Sequence, residues 1–255
     1  MKPVSIIIPS WNNLEYLKKW FETFRAKNAH PEYEIIIIDQ GSTDGSIEFL
    51  EGIRDNWGIK ESTGMATGLG KFIIIRNSSN TGSTGAWNQG IKASKHQWMA
   101  IMNSDIEFLR DNWLERFLEQ AKDDVGIVEC LETIWNKETR WAGASGFLLN
   151  RKMVEDIGMF DQKNFWGFCG DTDYWIRCDW HKWKMGWCTE ILYFHHCGGT
   201  HRRGMLKDSA PKDHEEANKL LRVKWTAQAI SQGWNRPRLT EERWLQEERK
   251  AGRLA

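Results

Sequence analysis

Three things are scarce in this chain of 255 residues, and each scarcity excludes a class of protein. Net charge is absent: 35 Lys and Arg balance 35 Asp and Glu, so no global field draws the molecule to nucleic acid or to a membrane surface. Cysteine is limited to Cys130, Cys169, Cys178, Cys188 and Cys197, an odd number with no C-x-x-C pair. That usage argues against a disulfide framework and predicts a reducing, cytoplasmic compartment. Long apolar runs are missing, since nothing approaches the ~18 apolar residues of a spanning helix. The opening MKPVSIIIPS is also too short an apolar stretch for a secretory leader, so a soluble protein is expected. Repeats and low-complexity segments are likewise absent.

What is present begins with length, enough for one sizeable core with an appendage. Sixteen tryptophans are many for that length, and most are assigned to packing. Trp175, Trp180 and Trp183 fall in one helical stretch, whereas Trp135, Trp141 and Trp166 flank expected loops and are placed to stack on a sugar ring or a base. Charge is uneven locally: residues 201–255 hold 13 Lys and Arg against 8 Asp and Glu. A solvated helix face accounts for that excess more simply than an anionic partner does.

Over residues 1–105 strand and helix patterns alternate, as a parallel sheet with crossover helices demands. Residues 4–9 form a short apolar run, and Leu14, Leu17, Phe21 and Phe24 follow at helical spacing. Four consecutive isoleucines at 35–38 suit a strand covered on both faces. Gly41-Ser42-Thr43-Asp44-Gly45 then breaks the strand and caps a helix. Residues 58–70 are expected as a loop, 72–75 as a third strand, 80–96 as a helix and 98–102 as a fourth strand. Asp111 is expected to cap the next helix, with Trp113, Leu114, Phe117 and Leu118 buried. Residues 125–131 and 144–149 read as strands without continued alternation. After 205 the pattern turns helical through Ala217, Leu220, Leu221, Trp225 and Ala229, and Thr240 opens a last charged helix.

One placement carries chemistry. The fourth strand ends in Asn103-Ser104-Asp105, and ligands of open α/β sheets sit outside the carboxyl ends of parallel strands. A carboxylate there suits Mg²⁺ or Mn²⁺, hard ions that leave most of their coordination to water and substrate phosphates. Turn formation or helix capping is the commoner use of such an Asp. Arg202 and Arg203 add guanidinium forks that fit phosphate. His195, His196, Cys197 and His201 raise a rival zinc reading, but ligands so close in sequence strain tetrahedral geometry.

In order along the chain stand Val4-Ser5-Ile6-Ile7-Ile8-Pro9-Ser10-Trp11-Asn12-Asn13, Ile38-Asp39-Gln40-Gly41-Ser42-Thr43-Asp44-Gly45-Ser46 and Asn80-Thr81-Gly82-Ser83-Thr84-Gly85-Ala86-Trp87-Asn88-Gln89-Gly90. Asn103-Ser104-Asp105 follows, then Gly158-Met159-Phe160-Asp161, Gly170-Asp171-Thr172-Asp173-Tyr174-Trp175-Ile176-Arg177 and Phe194-His195-His196-Cys197-Gly198-Gly199-Thr200. The set resembles family 2 glycosyltransferases of the GT-A fold, especially those related to rhamnosyltransferases and galactofuranosyltransferases, over roughly residues 4–204. Asn103 stands where the family's D-x-D motif has its first aspartate, and Gly170 stands where its E-D-x-D block has glutamate.

The resemblance implies an α/β GT-A domain over 1–205, with a mostly parallel central sheet flanked by helices. Its nucleotide-binding half would be 1–105, its acceptor-binding half 106–205, and 206–255 a C-terminal helical appendage. It implies inverting transfer from a nucleotide-diphosphate sugar of UDP or dTDP type to an acceptor hydroxyl, with Mn²⁺ or Mg²⁺. Asp105 and His196 would hold the metal, and Asp171 would be the catalytic base. Pro9, Asn12, Asp39, Asn80, Asn88 and Ser104 would meet the donor nucleotide. Arg202 and Arg203 are expected at the diphosphate, and Trp141, Trp166 and Asp173 at the acceptor. That acceptor is expected to be a glycan, with a hydroxymethylated DNA base as one alternative and a non-catalytic nucleotide-sugar module as another. Asp171 and Asp173 would also serve as a helix cap and a first-turn dipole partner.

Overall fold

Every residue of β2 (Tyr33–Asp39) is buried, as four consecutive isoleucines demand of a strand covered on both faces. In the computed structural model, which describes residues 2–57, 70–130, 132–135, 138–141, 143–196 and 210–231, this strand lies within a seven-stranded sheet. The other members are β1 (Val4–Ser10), β3 (Phe72–Arg76), β4 (Trp98–Met102), β6 (Val125–Cys130), β9 (Gly146–Asn150) and β10 (Lys184–Cys188). Their order is β10-β6-β9-β4-β1-β2-β3. All pairs are parallel except those of β9, which runs against β4 and β6. A smaller sheet orders β5 (Ile106–Phe108), β11 (Tyr193–His195), β7 (Glu132–Trp135) and β8 (Glu138–Trp141).

Strand alternation sorts the isoleucines onto two faces. Ile6, Ile8, Ile35 and Ile37 join one core with Leu17, Trp20, Phe21 and Phe24 of α1 (Leu14–Lys27), Leu50 of α2 (Ser46–Asp55) and Trp113 and Phe117 of α4 (Trp113–Leu118). Ile7, Ile36 and Ile38 face the other core. There they meet Trp87 and Ile91 of α3 (Gly82–Ala93), Met153 and Ile157 of α5 (Arg151–Ile157) and Tyr174 of α6 (Gly170–Trp180). Each fully buried isoleucine contributes roughly 1.5–3 kcal/mol, so the two faces fix the register of β1 against β2.

Three local expectations are corrected. The residue before α4 is Asn112, in the left-handed region, while Asp111 pairs with Lys27 at 2.8 Å. Trp183 lies beyond the end of α6, its indole N–H donating to Asp156. On the last described helix, α7 (Ala210–Ser231), Ala217, Leu221 and Trp225 are buried but Leu220 is 38% exposed. All but residue 70 of the loop expected at 58–70, and the helix from Thr240, lie outside the described residues.

Candidate donor-binding and transfer site

The parallel strands β1, β2 and β4 are neighbours, so their carboxyl ends share one edge of the sheet. Ser10 and Asp39 are partners in register at that edge. Asp39 is buried, and its Oδ2 accepts from the backbone N–H groups of Gly41 and Ser42, each at 3.1 Å. Its Oδ1 and the Ser10 Oγ are buried with no hydrogen-bond partner among the described residues. Unpaired buried polar atoms are costly, and a pair of them at a strand-end edge marks where a ligand would supply partners. Pro9, half-buried, precedes Ser10 in the same strand.

Asn12 holds the loop that follows β2. Its backbone is left-handed at φ 49°, its Oδ1 accepts from Thr43 N at 2.7 Å, and its N–H donates to Ser42 Oγ at 2.9 Å. Gln40 extends the same edge towards α3. Its Oε1 accepts from Asn77 and from the backbone and hydroxyl of Thr81, while its Nε2 donates to Gly82 O at 2.9 Å. Asn13 Nδ2 donates to Ser104 Oγ at 2.9 Å, tying the turn after β1 to the turn after β4.

Asp105 follows β4, with its side chain 10% exposed. Its Oδ1 lies 3.2 Å from His195 Nε2, and Asn103 Nδ2 lies 3.4 Å from the same nitrogen. The histidine beside Asp105 is therefore His195, not His196. β11 pairs antiparallel with β5, His195 opposite Ile106, and strand alternation turns the next side chain away. His196 sits 2.6 Å from Glu107 Oε1 with its ring 4.7 Å from that of Tyr16, while its backbone N–H donates to the Asp105 carbonyl. Burial alone would raise the Glu107 carboxyl, but hydrogen bonds from His196 and Lys19 hold it below the usual range.

As a donor set, one carboxylate and one imidazole at a strand end fit a divalent ion that completes its shell with phosphate oxygens and water. Among the described residues no group of three or more His, Cys, Asp and Glu side chains is poised for a metal, so substrate oxygens would have to finish such a site. Arg202, Arg203, Cys197 and His201 lie outside the described residues, as does the side chain of Trp141.

On the other side of Gln40, the amino ends of α3 and α6 meet. Thr84 Oγ1 donates to the carbonyls of Phe165, at 2.7 Å, and Trp166, at 3.1 Å. Glycine is required at both contacts: a Cβ at Gly82, where φ is +75°, would overlap the Trp166 carbonyl, and one at Gly170 would overlap the Thr84 methyl. Gly170 thus stands in for glutamate for a packing reason. Asp171, next in line, is half-buried in the first turn of α6, and Trp166 presents a ring that is 40% exposed.

Three predicted contacts are occupied within the protein. Asn88 Nδ2 donates to Phe160 O at 2.9 Å while its Oδ1 accepts from Phe160 N at 3.0 Å, and it is 5% exposed. Asn80 Oδ1 accepts from Gly82 N at 2.8 Å, in a turn that starts α3. Asp173, expected at the acceptor, has no exposed surface and is bonded to Arg177, Lys224 and Trp225. No acceptor can reach it in this arrangement.

A sequence model of Glycosyl transferase family 2 matches residues 5–182, which takes in every element from β1 to α6. The chain belongs to that family. Among its relatives, glycosyltransferase GlyG of Streptococcus pneumoniae is 26% identical over 128 residues, a match spanning 49% of this chain and 37% of GlyG. The chain thus spans well under half the length of that relative. Two solved structures share the fold. A mannosyltransferase from Pyrobaculum calidifontis, in complex with GDP-Man and Mn²⁺, superposes with TM-score 0.61 at 12% identity, over 80% of this chain and 59% of that one. S. aureus TarS 1–349, in complex with UDP-GlcNAc, gives 0.61 at 14% identity, over 87% and 66%. The architecture is therefore GT-A-like, as the family 2 resemblance implied.

Motif spacing alone missed His195, Asn13 and Gln40. The first was findable from strand alternation, because Tyr193 is fully buried and residue 195 shares its face. The others are variable letters inside motifs, and their roles depend on pairing between distant strand ends.

Proposed function

We propose that this family 2 domain is an inverting glycosyltransferase that moves a sugar from a nucleotide diphosphate to a hydroxyl of a saccharide acceptor. One observation carries the reading: adjacent parallel strands bring Asp39 Oδ1 and Ser10 Oγ, without partners among the described residues, and Asp105 to one sheet edge, where His195 of β11 meets Asp105. Asp39 and Ser10 would meet the polar rim of a nucleobase, with Asn12 and Ser104 shaping the pocket around it. Asp105 and His195 would hold Mn²⁺ or Mg²⁺, and the ion would neutralise charge on the diphosphate leaving group. His196, expected at the metal from the family's H-x-G-G-T pattern, is held at Glu107 and would leave the ion to His195. Arg202 and Arg203 would add positive charge at the diphosphate.

Asp171 would take the proton of the attacking hydroxyl. Trp166, 40% exposed, offers a flat apolar face to a sugar ring, which supports a saccharide acceptor. The motif pattern supports a donor sugar of the rhamnosyl or galactofuranosyl kind, carried on UDP or dTDP.

A melting-shift screen of nucleotide sugars with Mn²⁺ identifies the donor, and mass analysis of products from glycan and hydroxymethylated DNA acceptors identifies the acceptor. Asp171→Asn is expected to lower turnover by ~10² to 10⁴ with donor affinity nearly intact. Normal turnover in that variant would remove Asp171 from the role. Asp105→Ala is expected to abolish the Mn²⁺-dependent part of donor binding in calorimetry; unchanged binding would refute the metal assignment.

A further inference from the structure

A carboxylate as deeply buried as Asp173 must be paired, and its partners come from two helices. Its Oδ2 accepts from Arg177 Nε at 3.1 Å, one turn along α6. Its Oδ1 accepts from Lys224 Nζ at 2.7 Å and from Trp225 Nε1 at 3.0 Å, both on α7, the latter 52 positions downstream. Lys224 also reaches Asp161 Oδ2 at 3.1 Å, and Asp161 in turn binds the backbone and side-chain nitrogens of Asn164. Burial works to raise the Asp161 carboxyl, yet Asn164 and Lys224 hold it below its ordinary value. Two acids and two cations thus balance, and Arg177 carries the network on to the carbonyls of Ile157 and Met159.

Apolar packing reinforces the charges. Ala217, Leu221 and Trp225 of α7 form a core with Phe165, and Phe168, Cys169, Ile176 and Trp180 pack against it. Cys169 is left-handed at φ 61°, a conformation that a non-glycine residue keeps only where its surroundings hold it. The segment between Asp161 and Asp173 carries Trp166 and Asp171. One lysine grips it at both ends.

We propose that Lys224 and Trp225 are positioning residues for sugar transfer: by holding Asp161 and Asp173 they set the stance of the intervening segment, and with it the Asp171 carboxylate. The proposal rests on the reading of Asp171 as the base. In a helix, residues 171 and 173 point about 200° apart, so an anchored Asp173 turns Asp171 to the opposite side of α6. Donor binding at the ends of β1, β2 and β4 involves none of these contacts.

The test compares Lys224→Met in the wild-type and Asp171→Asn backgrounds, with Mn²⁺ and the nucleotide sugar giving the largest melting shift. In the wild-type background the expected loss in kcat is about 10- to 100-fold, the worth of a small misplacement, with donor Kd within about twofold. In the Asp171→Asn background the same change is expected to cost less than about twofold, because the group it positions is already gone. Lys224→Arg, which keeps two cationic donors, should restore most of the rate. Trp225→Phe removes the N–H along with part of the ring packed in the α7 core and is expected to cost about 3- to 10-fold, a second reading should Lys224→Met fail to fold. An equal fold loss in both backgrounds, or no loss in the first, overturns the positioning role while leaving Asp171 as base. Full turnover by Asp171→Asn alone would overturn the base assignment and this proposal with it.

Discussion

Asp44 shows how much one carboxylate can organise. Its two oxygens accept from Leu14 N at 2.9 Å, from Ser46 N at 3.1 Å and from Ser46 Oγ at 2.6 Å, so it starts α2 and also ties down the beginning of α1. Burial works to raise its carboxyl, but these hydrogen bonds prevail and hold it below the ordinary value. A folded value below the unfolded one means that ionised Asp44 stabilises the fold above about pH 4, and that the contribution is lost as acid protonates the folded form. Asp44→Ala is expected to lower Tm by about 2–4 °C at neutral pH, the worth of a helix cap in a chain of this size. The gap from wild type should close below about pH 4. A gap that stays constant down to pH 2 would show that the carboxylate contributes nothing ionic. The sequence placed Asp44 in a capping loop, and its second bond, to α1, was not legible because that pairing spans 30 positions.

Helices and strands were legible in proportion to how much of their pattern is local. The isoleucine run of β2 and the Leu17, Phe21, Phe24 spacing of α1 record burial on known faces, so period alone identifies them. The small sheet is a different case. β5 and β11 have three residues each, and Ile106 finds His195 across nearly the whole acceptor-side half, leaving no periodicity to read. That pairing decides which of two adjacent histidines faces Asp105, so the metal-side geometry was underdetermined for the same reason. At the junction of α3 and α6 the signal was present in another form. Gly82 and Gly170 read as motif letters, one kept and one substituted, whereas their common cause is two helix ends in contact through Thr84. A glutamate at 170 would force that contact apart. Its replacement is therefore compatible with a working Asp171 next door.

For the molecule as a whole, the division of labour lies along the chain in an order that composition does not reveal. On the proposed function the donor side would be built by residues from β1 to β4, with His195 returning from β11. The acceptor side would be assembled from α6 and from α7, a helix that the sequence reads as an appendage but whose Ala217, Leu221 and Trp225 are buried. Leu221 is 5% exposed and packs beside Trp225 over Phe165, so Leu221→Ala should cost on the order of 2–4 kcal/mol, a fall in Tm of about 5–10 °C. The Mn²⁺-dependent melting shift caused by a nucleotide sugar should be undiminished in that variant, since Ser10, Asp39 and Asp105 stand on other elements. Thermal melts with and without donor measure both quantities at once. An unchanged Tm would mean that α7 does not cover Phe165 in solution, and a lost donor shift would mean that the two sides of the molecule are not energetically separate.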